Sequence, residues 1–509
     1  MIQIVGIMLV VLLLWVVAWH LPSVKGRQIL LLVASYLFYA NWGIGFLVAL
    51  IMSSLMTYAC GLGLRRRVTA PRFWLGITVN LLPLVFLKYL PPLLELGLTG
   101  SWQYDLARQI VMPVGMSFWT FQALSYLFDI YLGEELDPSL VEFCLYMAFW
   151  PTVVSGPVCR LPRMLPQFRR PTSFTRDNVS AGSLRVIQGL TMKVVLAQIL
   201  GSGWTPGEGV VAGFDQIKGG WGGIDVWLLG IGFGFLLFFD FAGYSHMVIG
   251  TARVFGIQVP ENFHRPFLST TPSVFWTRWH MSLSFWIRDY VFSPLAAAGR
   301  RYRWWPHVVL VISMTLFGLW HGAKLTFIVF GIYHGLILVL HRVGQQIRRW
   351  FPILCRPHSL GPFLSWGTTF LLMSLGFICF RANTLGDAVS MCGAAFSPRA
   401  YWHFAMPRSF YILTSAIVGG YFALEGMKSV MLSLRLRYRQ ALTEGTLGAR
   451  GLSPVRTVTV TMGALVHFFC ATFWWWFAPV VSILVLFASL AMNKQSGAVT
   501  LTPFIYTLF

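Results

Sequence analysis

One histidine stands out because it lies inside an apolar run. His321 is found in TLFGLWHGAKLTFIVFGIYHG, with Gly318 and Gly322 close on either side. A neutral imidazole costs far less in an apolar setting than a carboxylate, and it can still take a proton. Glycine permits close backbone approach and an irregular helix, as expected where a cavity meets a bilayer. Two hypotheses follow: a general base, and a histidine hydrogen-bonded to a neighbouring helix for packing.

A second histidine lies in a segment that mixes aromatic and charged residues. Residues 271–294 read TPSVFWTRWHMSLSFWIRDYVFSP. Thr271 followed by Pro272 is a typical helix start. An apolar stripe at three- and four-residue spacing comprises Phe275, Trp276, Trp279, His280 and Leu283. Because its arginines and aspartate would face lipid only at high cost, we predict a helix over 272–293 that does not span but is interfacial or re-entrant. The alternative is a surface amphipathic helix without an active role.

Two further ionisable residues lie in apolar runs, and such residues are functional candidates by default. Asp240 lies in LLFFDFAGYSHMVIG, with His246 six residues on. His334 follows His321 by thirteen residues. On a continuous helix of about 100° per residue, that spacing gives roughly the opposite face. His321 and His334 are therefore predicted not to form one site.

The composition indicates that these runs cross a membrane. Hydrophobic residues make up 56% of the 509 and charged residues only 11%, against about a quarter in soluble proteins. The mean hydropathy is +0.68, and the 22 tryptophans suit the headgroup level of a bilayer. A spanning helix needs about 20 apolar residues. The apolar runs are long and continuous rather than alternating, which predicts an all-α transmembrane bundle and not a barrel.

The apolar runs predict roughly a dozen spans in one membrane domain. The candidate spans are 3–20, 28–42, 44–62, 73–90, 108–131, 140–158, 182–203, 224–250, 307–320, 325–341, 361–380, 409–431, 456–473 and 475–492. The polar stretches between them are too short to fold alone, and no fixed-period repeat occurs. The first run lacks a preceding basic region and a small-residue cleavage site, so we interpret it as a retained span rather than a signal peptide.

The formal net charge is +21, and the basic residues occur where cytoplasmic loops of a membrane protein would carry them. Arginine runs at 65–67, 169–170, 300–301 and 348–349 sit between apolar segments, the pattern of cytoplasmic loops. No basic domain stands apart, so nucleic-acid binding is not predicted. The seven cysteines include no Cys-x-x-Cys pair, which leaves a metal site or disulfide framework unsupported.

Several ordered motifs resemble the membrane-bound O-acyltransferase family, in particular its bacterial alginate and cell-wall polysaccharide acetylation branch. The motifs are PVGMSFWTFQALSYLFDIY at 113–131, FWPTVVSGPVCR at 149–160, FFDFAGYSHMVIG at 238–250, ENFHRPF at 261–267, FWTRWHMSLSFWIRDYVFSPL at 275–295, FGLWHGA at 317–323 and LGFICFRA at 375–382. The terminal PFIYTLF also looks like the end of alginate-type members. The resemblance implies one membrane domain over 1–509, with core motifs at about 113–382 and further spans at about 409–492.

The resemblance also implies roles for individual residues. His321, in the GLWHG motif, matches the family's catalytic base, and His280, in RWHxS, matches the second polar residue of that site. The candidate substrate-channel residues in these motifs are Asp240, Tyr244, Asn262, Trp276, Trp279, Ser282, Arg288, Asp289 and Trp320. The implied fold is a helical bundle around a funnel or tunnel that leads from the cytosolic face.

Two departures concern the branch. His246 stands where most relatives have Asp in DFxGYSD, and SPLAAAGRR replaces the more usual IPLGG. WHMSLSFWIRDYVF is closer to the teichoic acid D-alanyl transferase, another member of the family. The chain length and the LGFICFRA segment favour the acetylation branch.

The implied reaction is acyl transfer from a thioester to a hydroxyl, with acetyl-CoA or another acyl thioester as donor and no bound cofactor or metal. A positioned base must take the hydroxyl proton, and a histidine or a tryptophan indole could donate to the oxyanion. Expected partners are membrane lipid, a polysaccharide acceptor and an extracytoplasmic acetyltransferase, at the bacterial inner membrane. A transporter and a structural scaffold remain alternatives; a transporter would predict pseudo-symmetric halves, which the sequence lacks.

Overall fold

The protein is helical throughout the part that the structure describes. The structure, a computed structural model, describes residues 23–97, 111–170, 175–350 and 361–443, except 206, 216, 218 and 219, and the single residues 17 and 21. Within these ranges no strand occurs. The chain is therefore an all-α polytopic membrane protein, as the composition predicts. The predicted spans 3–20, 456–473 and 475–492 lie outside the continuously described ranges.

The helices follow one another with short connections. The α-helices are α1 Val24–Ala40, α2 Ile44–Arg66, α3 Ala70–Gly97, α4 Met116–Tyr131, α5 Leu140–Ala148, α6 Leu161–Arg169, α7 Arg176–Leu190, α8 Gln198–Ser202, α9 Val210–Asp215, α10 Gly223–Val254, α11 Pro272–Trp276, α12 Met281–Ile287, α13 Ser293–Ala298, α14 Trp305–His321, α15 Leu325–Trp350, α16 Gly361–Arg381, α17 Leu385–Phe396 and α18 Arg408–Thr443. Two π-helical stretches, Thr191–Ala197 and Arg288–Phe292, and two 3₁₀ turns, Pro266–Leu268 and Pro398–Trp402, complete the elements.

Seven helices of the described ranges are long and apolar enough to cross a membrane. They are Ile44–Arg66, Ala70–Pro92, Arg176–Ser202, Gly223–Val254, Leu325–Ile347, Gly361–Arg381 and Arg408–Leu434. The predicted span 140–158 is wrong. Its helix α5 begins at a capping box of Ser139 and Glu142 and ends at Ala148, after nine residues. The turns that follow at 150–155 consist largely of apolar residues, so hydropathy alone could not find the end of the helix.

The chain divides into two compact units. The first comprises the described residues of 1–189 and 241–392, and the second those of 190–240 and 393–500. Helix α10 belongs to the second unit as far as Asp240 and to the first from Phe241 onward. The predicted single domain over 1–509 stays a prediction.

In the first unit, α14 and α15 form a closely packed hairpin. Gly331 and Gly335, four residues apart on α15, lie against the backbone of α14. A Cβ at these positions would stand 2.7 Å from the Thr315 Cα and 2.8 Å from the Val311 Cα, respectively. Small residues at this spacing let membrane helices approach each other closely. The hairpin turns at residues 322–324, so His321 and His334 lie on two different helices and the angle for one continuous helix does not apply.

The predicted helix over 272–293 is also wrong, because the segment is broken in the middle. Helix α11 begins as predicted, with the Thr271 side chain accepting from the Val274 N–H and Pro272 in the first turn. It ends at Trp276, and α12 starts only at Met281. The segment does not cross a membrane, as predicted, since helices of five and seven residues are far short of the required length.

The second unit contains buried charges that hold its helices together. Lys193, in the π-helical stretch, forms an ion pair with Asp240 of α10, and both side chains are more than nine-tenths buried. Asp225 is fully buried, and its Oδ2 accepts the N–H groups of Gly222 and Ala405, each at 2.8 Å. These bonds tie the start of α10 to the segment before α18.

Candidate active site

His280 occupies the break between α11 and α12 in an unusual backbone conformation. Its φ of 42° and ψ of 52° lie in the left-handed region, which non-glycine residues adopt rarely and often at functional sites. Backbone hydrogen bonds hold it on both sides. His264 N–H donates to the Arg278 carbonyl at 3.0 Å, and Met281 N–H donates to the Asn262 carbonyl at 2.8 Å. The segment at 262–264 thus imposes the conformation from outside the helix.

The Asn262 side chain fixes the same loop. Asn262 is fully buried, and its Oδ1 accepts the Ser282 hydroxyl at 2.6 Å, while its Nδ2 donates to the Ser245 hydroxyl at 3.1 Å. The Ser282 Oγ in turn accepts the Val158 N–H at 3.0 Å. Asn262 and Ser282, both predicted as channel residues, therefore anchor the start of α12 to α10 and to the turn before α6.

The two predicted histidines converge on one tryptophan. His321 is the last residue of α14, and its ring centroid lies 4.7 Å from that of Trp320. His280 approaches the same indole at 6.0 Å. Both imidazoles also contact Phe317, at 5.4 Å from His321 and 6.4 Å from His280. Residues 41 positions apart in the sequence thus share one buried aromatic neighbourhood.

Polar atoms in this neighbourhood lack partners from the protein. His280 and Trp320 are 1% and 9% exposed. Within the described ranges, neither ring nitrogen of His280 has a hydrogen-bond partner, and the indole N–H of Trp320 has none either. Burial lowers the pKa of His280 to about 3, so this imidazole is neutral near pH 7. Buried polar atoms normally have partners, which makes these atoms available to a reactant.

A lysine that the sequence analysis did not single out lies beside the same indole. The Lys88 Nζ is 5.2 Å from the Trp320 ring centroid and donates a hydrogen bond to the Trp320 carbonyl oxygen. The neighbouring Tyr89 hydroxyl donates to the Leu319 carbonyl at 2.8 Å. Lys88 falls inside the apolar run predicted as span 73–90. The rule applied to Asp240, that ionisable residues in apolar runs are candidates, would have identified it.

Two other predicted tryptophans pack close by. Trp276 contacts Phe317 at 4.9 Å and His334 at 5.1 Å. Trp279 stacks on Phe275 with centroids 5.4 Å apart. His334 therefore contacts Trp276, and the expectation that it forms no common site with His321 stays a prediction.

Arg288 and Asp289 form a separate ionic cluster. The Arg288 Nε donates to Asp289 Oδ1 at 2.7 Å, and Arg160 pairs with Asp289 Oδ2 at 2.8 Å. Burial raises the pKa of Asp289, but hydrogen bonds from Arg288 and Arg160 outweigh it and leave the pKa below its usual value. Next to this cluster, the Tyr290 hydroxyl donates to the buried Asp129 at 2.6 Å. The described contacts of Arg288 and Asp289 include neither histidine.

The remaining two predicted residues lie on α10. Asp240 is the partner of Lys193 in the second unit. Tyr244, one turn later, interacts with Ser155 in the first unit. His246 accepts from the Arg185 Nε at 3.0 Å, and Arg185 also pairs with Glu261. A neutral imidazole nitrogen accepts here where an aspartate would form an ion pair.

The arrangement around Trp320 suits proton transfer in an apolar setting. Two imidazoles and an indole N–H lie together at the end of α14, with a lysine on the neighbouring helix. An imidazole can take a proton from a hydroxyl, and N–H groups can donate to a developing oxyanion. No group of three metal-ligating side chains occurs in the described ranges.

Comparison with known proteins identifies the family. The model of the membrane-bound O-acyltransferase family matches residues 131–381. The probable alginate O-acetylase AlgI of Pseudomonas aeruginosa is 34% identical over 74% of this chain and 71% of that protein. The peptidoglycan O-acetyltransferase of Helicobacter pylori is 28% identical over 71% of this chain and 72% of that protein. The teichoic acid D-alanyltransferase of Streptococcus thermophilus is 34% identical over 53% of this chain and 63% of that protein.

The chain belongs to the membrane-bound O-acyltransferase family. It is a multi-pass membrane enzyme that transfers an acyl group to an oxygen atom. Residues 452–509 match a second model, that of the family of unknown function DUF5989, and lie outside the described ranges.

Proposed function

We propose that this enzyme passes an acetyl group from cytosolic acetyl-CoA towards hydroxyls of an exported cell-surface polysaccharide. The acceptor is either the polymer itself or an extracytoplasmic transferase that completes the delivery, and the location is the bacterial inner membrane. The names of the alginate and peptidoglycan relatives support a polysaccharide acceptor. The observation that carries the proposal is the convergence of His280 and His321 on Trp320.

The site residues divide the reaction between them. His321 takes the proton of the attacking hydroxyl as its oxygen bonds to the thioester carbonyl carbon. The neutral His280 or the Trp320 indole donates to the oxyanion that forms. When the tetrahedral intermediate collapses, the carbon–sulfur bond breaks and the imidazolium of His321 returns its proton to the leaving thiolate.

Substitution of each histidine tests this assignment. We expect His321→Ala to abolish acyl transfer with near-normal protein level, because a general base typically contributes about 10²–10⁴-fold. His280→Ala should lower the rate severely. Activity is measured as acetyl transfer from labelled acetyl-CoA to polysaccharide, per molecule of monodisperse purified protein.

His334→Ala is the matched control. His334 is 2% exposed and His321 4%, so both changes remove a buried imidazole and leave a similar cavity. His334 contacts Trp276 rather than Trp320, and its loss should matter much less. Equal activity per molecule in wild type and His321→Ala would end the catalytic assignment and favour a scaffold role.

The second candidate is D-alanyl transfer from a carrier protein to teichoic acid. It is favoured by the identity with the Streptococcus thermophilus D-alanyltransferase. The acyl donor distinguishes acetyl transfer from D-alanyl transfer. Turnover with a D-alanyl carrier protein but not with acetyl-CoA would replace the acetyl proposal and leave the roles of the histidines intact. Translocation of an acyl group without any transfer would favour a transporter instead.

A further inference from the structure

Lys88 is an ionisable residue in an unfavourable place. It lies in Ala70–Pro92, one of the helices that is long and apolar enough to cross a membrane. Charged side chains within such helices are costly and are usually retained for a specific partner. The partners of Lys88 described above are the carbonyl and the ring of Trp320, so its amino group is directed at the end of α14.

Helix ends need such a partner. The last carbonyl groups of an α-helix have no N–H within the helix to bond, and they carry a partial negative charge. In α14 the Leu319 carbonyl accepts from the Gly322 N–H and from Tyr89, and the Trp320 carbonyl accepts from Lys88. Two consecutive residues of α3 therefore cap the helix that ends in His321.

The cap acts on the geometry of the two-histidine site. His321 directly follows the carbonyl that Lys88 binds, and the Lys88 Nζ also lies over the indole that both His321 and His280 contact. A cation over an indole face is attracted by the ring. Lys88 thus holds both the main chain and the ring of Trp320.

We propose that Lys88 is a positioning residue for acyl transfer, holding the end of α14 so that Trp320 stays in contact with both His280 and His321. The role rests on the proposed function of these histidines. Tyr89 supports the neighbouring carbonyl without contributing charge. Lys88 acts through Trp320 and His321, so its loss should change the rate of the chemical step rather than the binding of the donor.

Kinetics of purified variants test the proposal. We expect Lys88→Met to lower kcat by about 10–100-fold while KM for the acyl donor changes by less than about threefold, because misplacement on the order of 1 Å can cost about 10²-fold. Lys88→Arg, which keeps a cation that can donate, should recover most of the rate. Tyr89→Phe is the matched control on the same helix and should lose only a few-fold.

Two kinetic results for Lys88→Met would contradict the positioning role. Wild-type kcat in Lys88→Met overturns the proposal, and so does a raised KM with unchanged kcat, which would indicate donor binding. If Lys88→Met does not fold, Lys88→Leu replaces it, since leucine also removes both the donor and the charge, and the same criteria apply.

Hydrogen exchange at the end of α14 tests the positioning role of Lys88 independently of acyl-transfer activity. Lys88→Met should speed amide exchange in residues 314–322, whether or not any acyl transfer is detected. If wild type shows no transfer but this effect remains, the function fails and the positioning role of Lys88 stands. Unchanged exchange overturns the positioning role even if activity falls.

Discussion

Replacing Gly318 by alanine places a methyl group where α14 touches α15. The new Cβ would overlap the Phe327 carbonyl oxygen and stand 3.1 Å from the Gly331 nitrogen. Both atoms belong to the backbone, so no side chain can turn away. The two helices must separate for the variant to fold.

The size of the effect follows from this overlap. Carbon atoms pack at about 3.5–4 Å, so the backbone must shift on the order of 1 Å. Gly318 lies one turn before His321, and the shift moves the imidazole against Trp320. We expect kcat to fall by about 10²-fold. Overpacking typically costs about 1–3 kcal/mol, so Tm should fall as well.

The assay compares Gly318→Ala with Gly344→Ala in the same hairpin. Gly344 lies on α15, and a Cβ there would meet nothing within 4 Å. This control should keep wild-type kcat and an equal or higher Tm, because alanine favours a helix over glycine. Acyl transfer per molecule and thermal melting in detergent are measured for both. Wild-type kcat in Gly318→Ala would refute the reasoning, as would equal losses in the two variants.

Three further predictions concern other parts of the molecule. Lys193→Met should lower stability by about 3–5 kcal/mol, because it leaves Asp240 buried without its ion-pair partner; the double variant Lys193→Met/Asp240→Leu should melt at a higher temperature than the single one. For Glu142, burial raises the pKa, but hydrogen bonds from Arg169 and Ser139 outweigh it and hold the pKa at about 2, below its ordinary 4.5. The Tm deficit of Glu142→Gln should therefore be complete above pH 4.5 and vanish as the pH falls towards 2, which melting curves across this range would check. Finally, the arginine runs at 65–67, 169–170 and 348–349 should lie on the cytoplasmic side; labelling of single cysteines by an impermeant reagent in intact cells at all three places would contradict this orientation.

The sequence determined the class of the fold because hydrocarbon imposes a strict rule. Every backbone group in lipid must be bonded within the chain, so long apolar runs become helices. Candidate spans such as Gly223–Val254 and Gly361–Arg381 accordingly lie close to their predicted positions. Local chemistry also fixed one helix start, where Thr271 and Pro272 begin α11 as predicted.

Helix ends inside apolar runs were decided by tertiary contacts. The run through 140–158 has no break in hydropathy, although Pro151 follows the end of α5 closely, and the stripe through 272–293 keeps its spacing throughout. Helix α11 nevertheless stops before His280, because Asn262 and His264 bond the backbone of the break from another part of the chain. A pattern of side chains does not report which distant carbonyl is near.

In the candidate site, too, the sequence identified the residues and the tertiary structure decided their arrangement. The sequence singled out His280 and His321 by their chemistry, and the resemblance of their motifs implied one site, but the spacing along the chain gives no distance between the two rings. Packing of α14 against α15 and of the His280 loop against α10 sets both rings beside Trp320. Lys88 reaches the same indole from 232 residues away, measured along the chain to Trp320. Distances of this kind depend on how helices pack, and only the tertiary structure decides them.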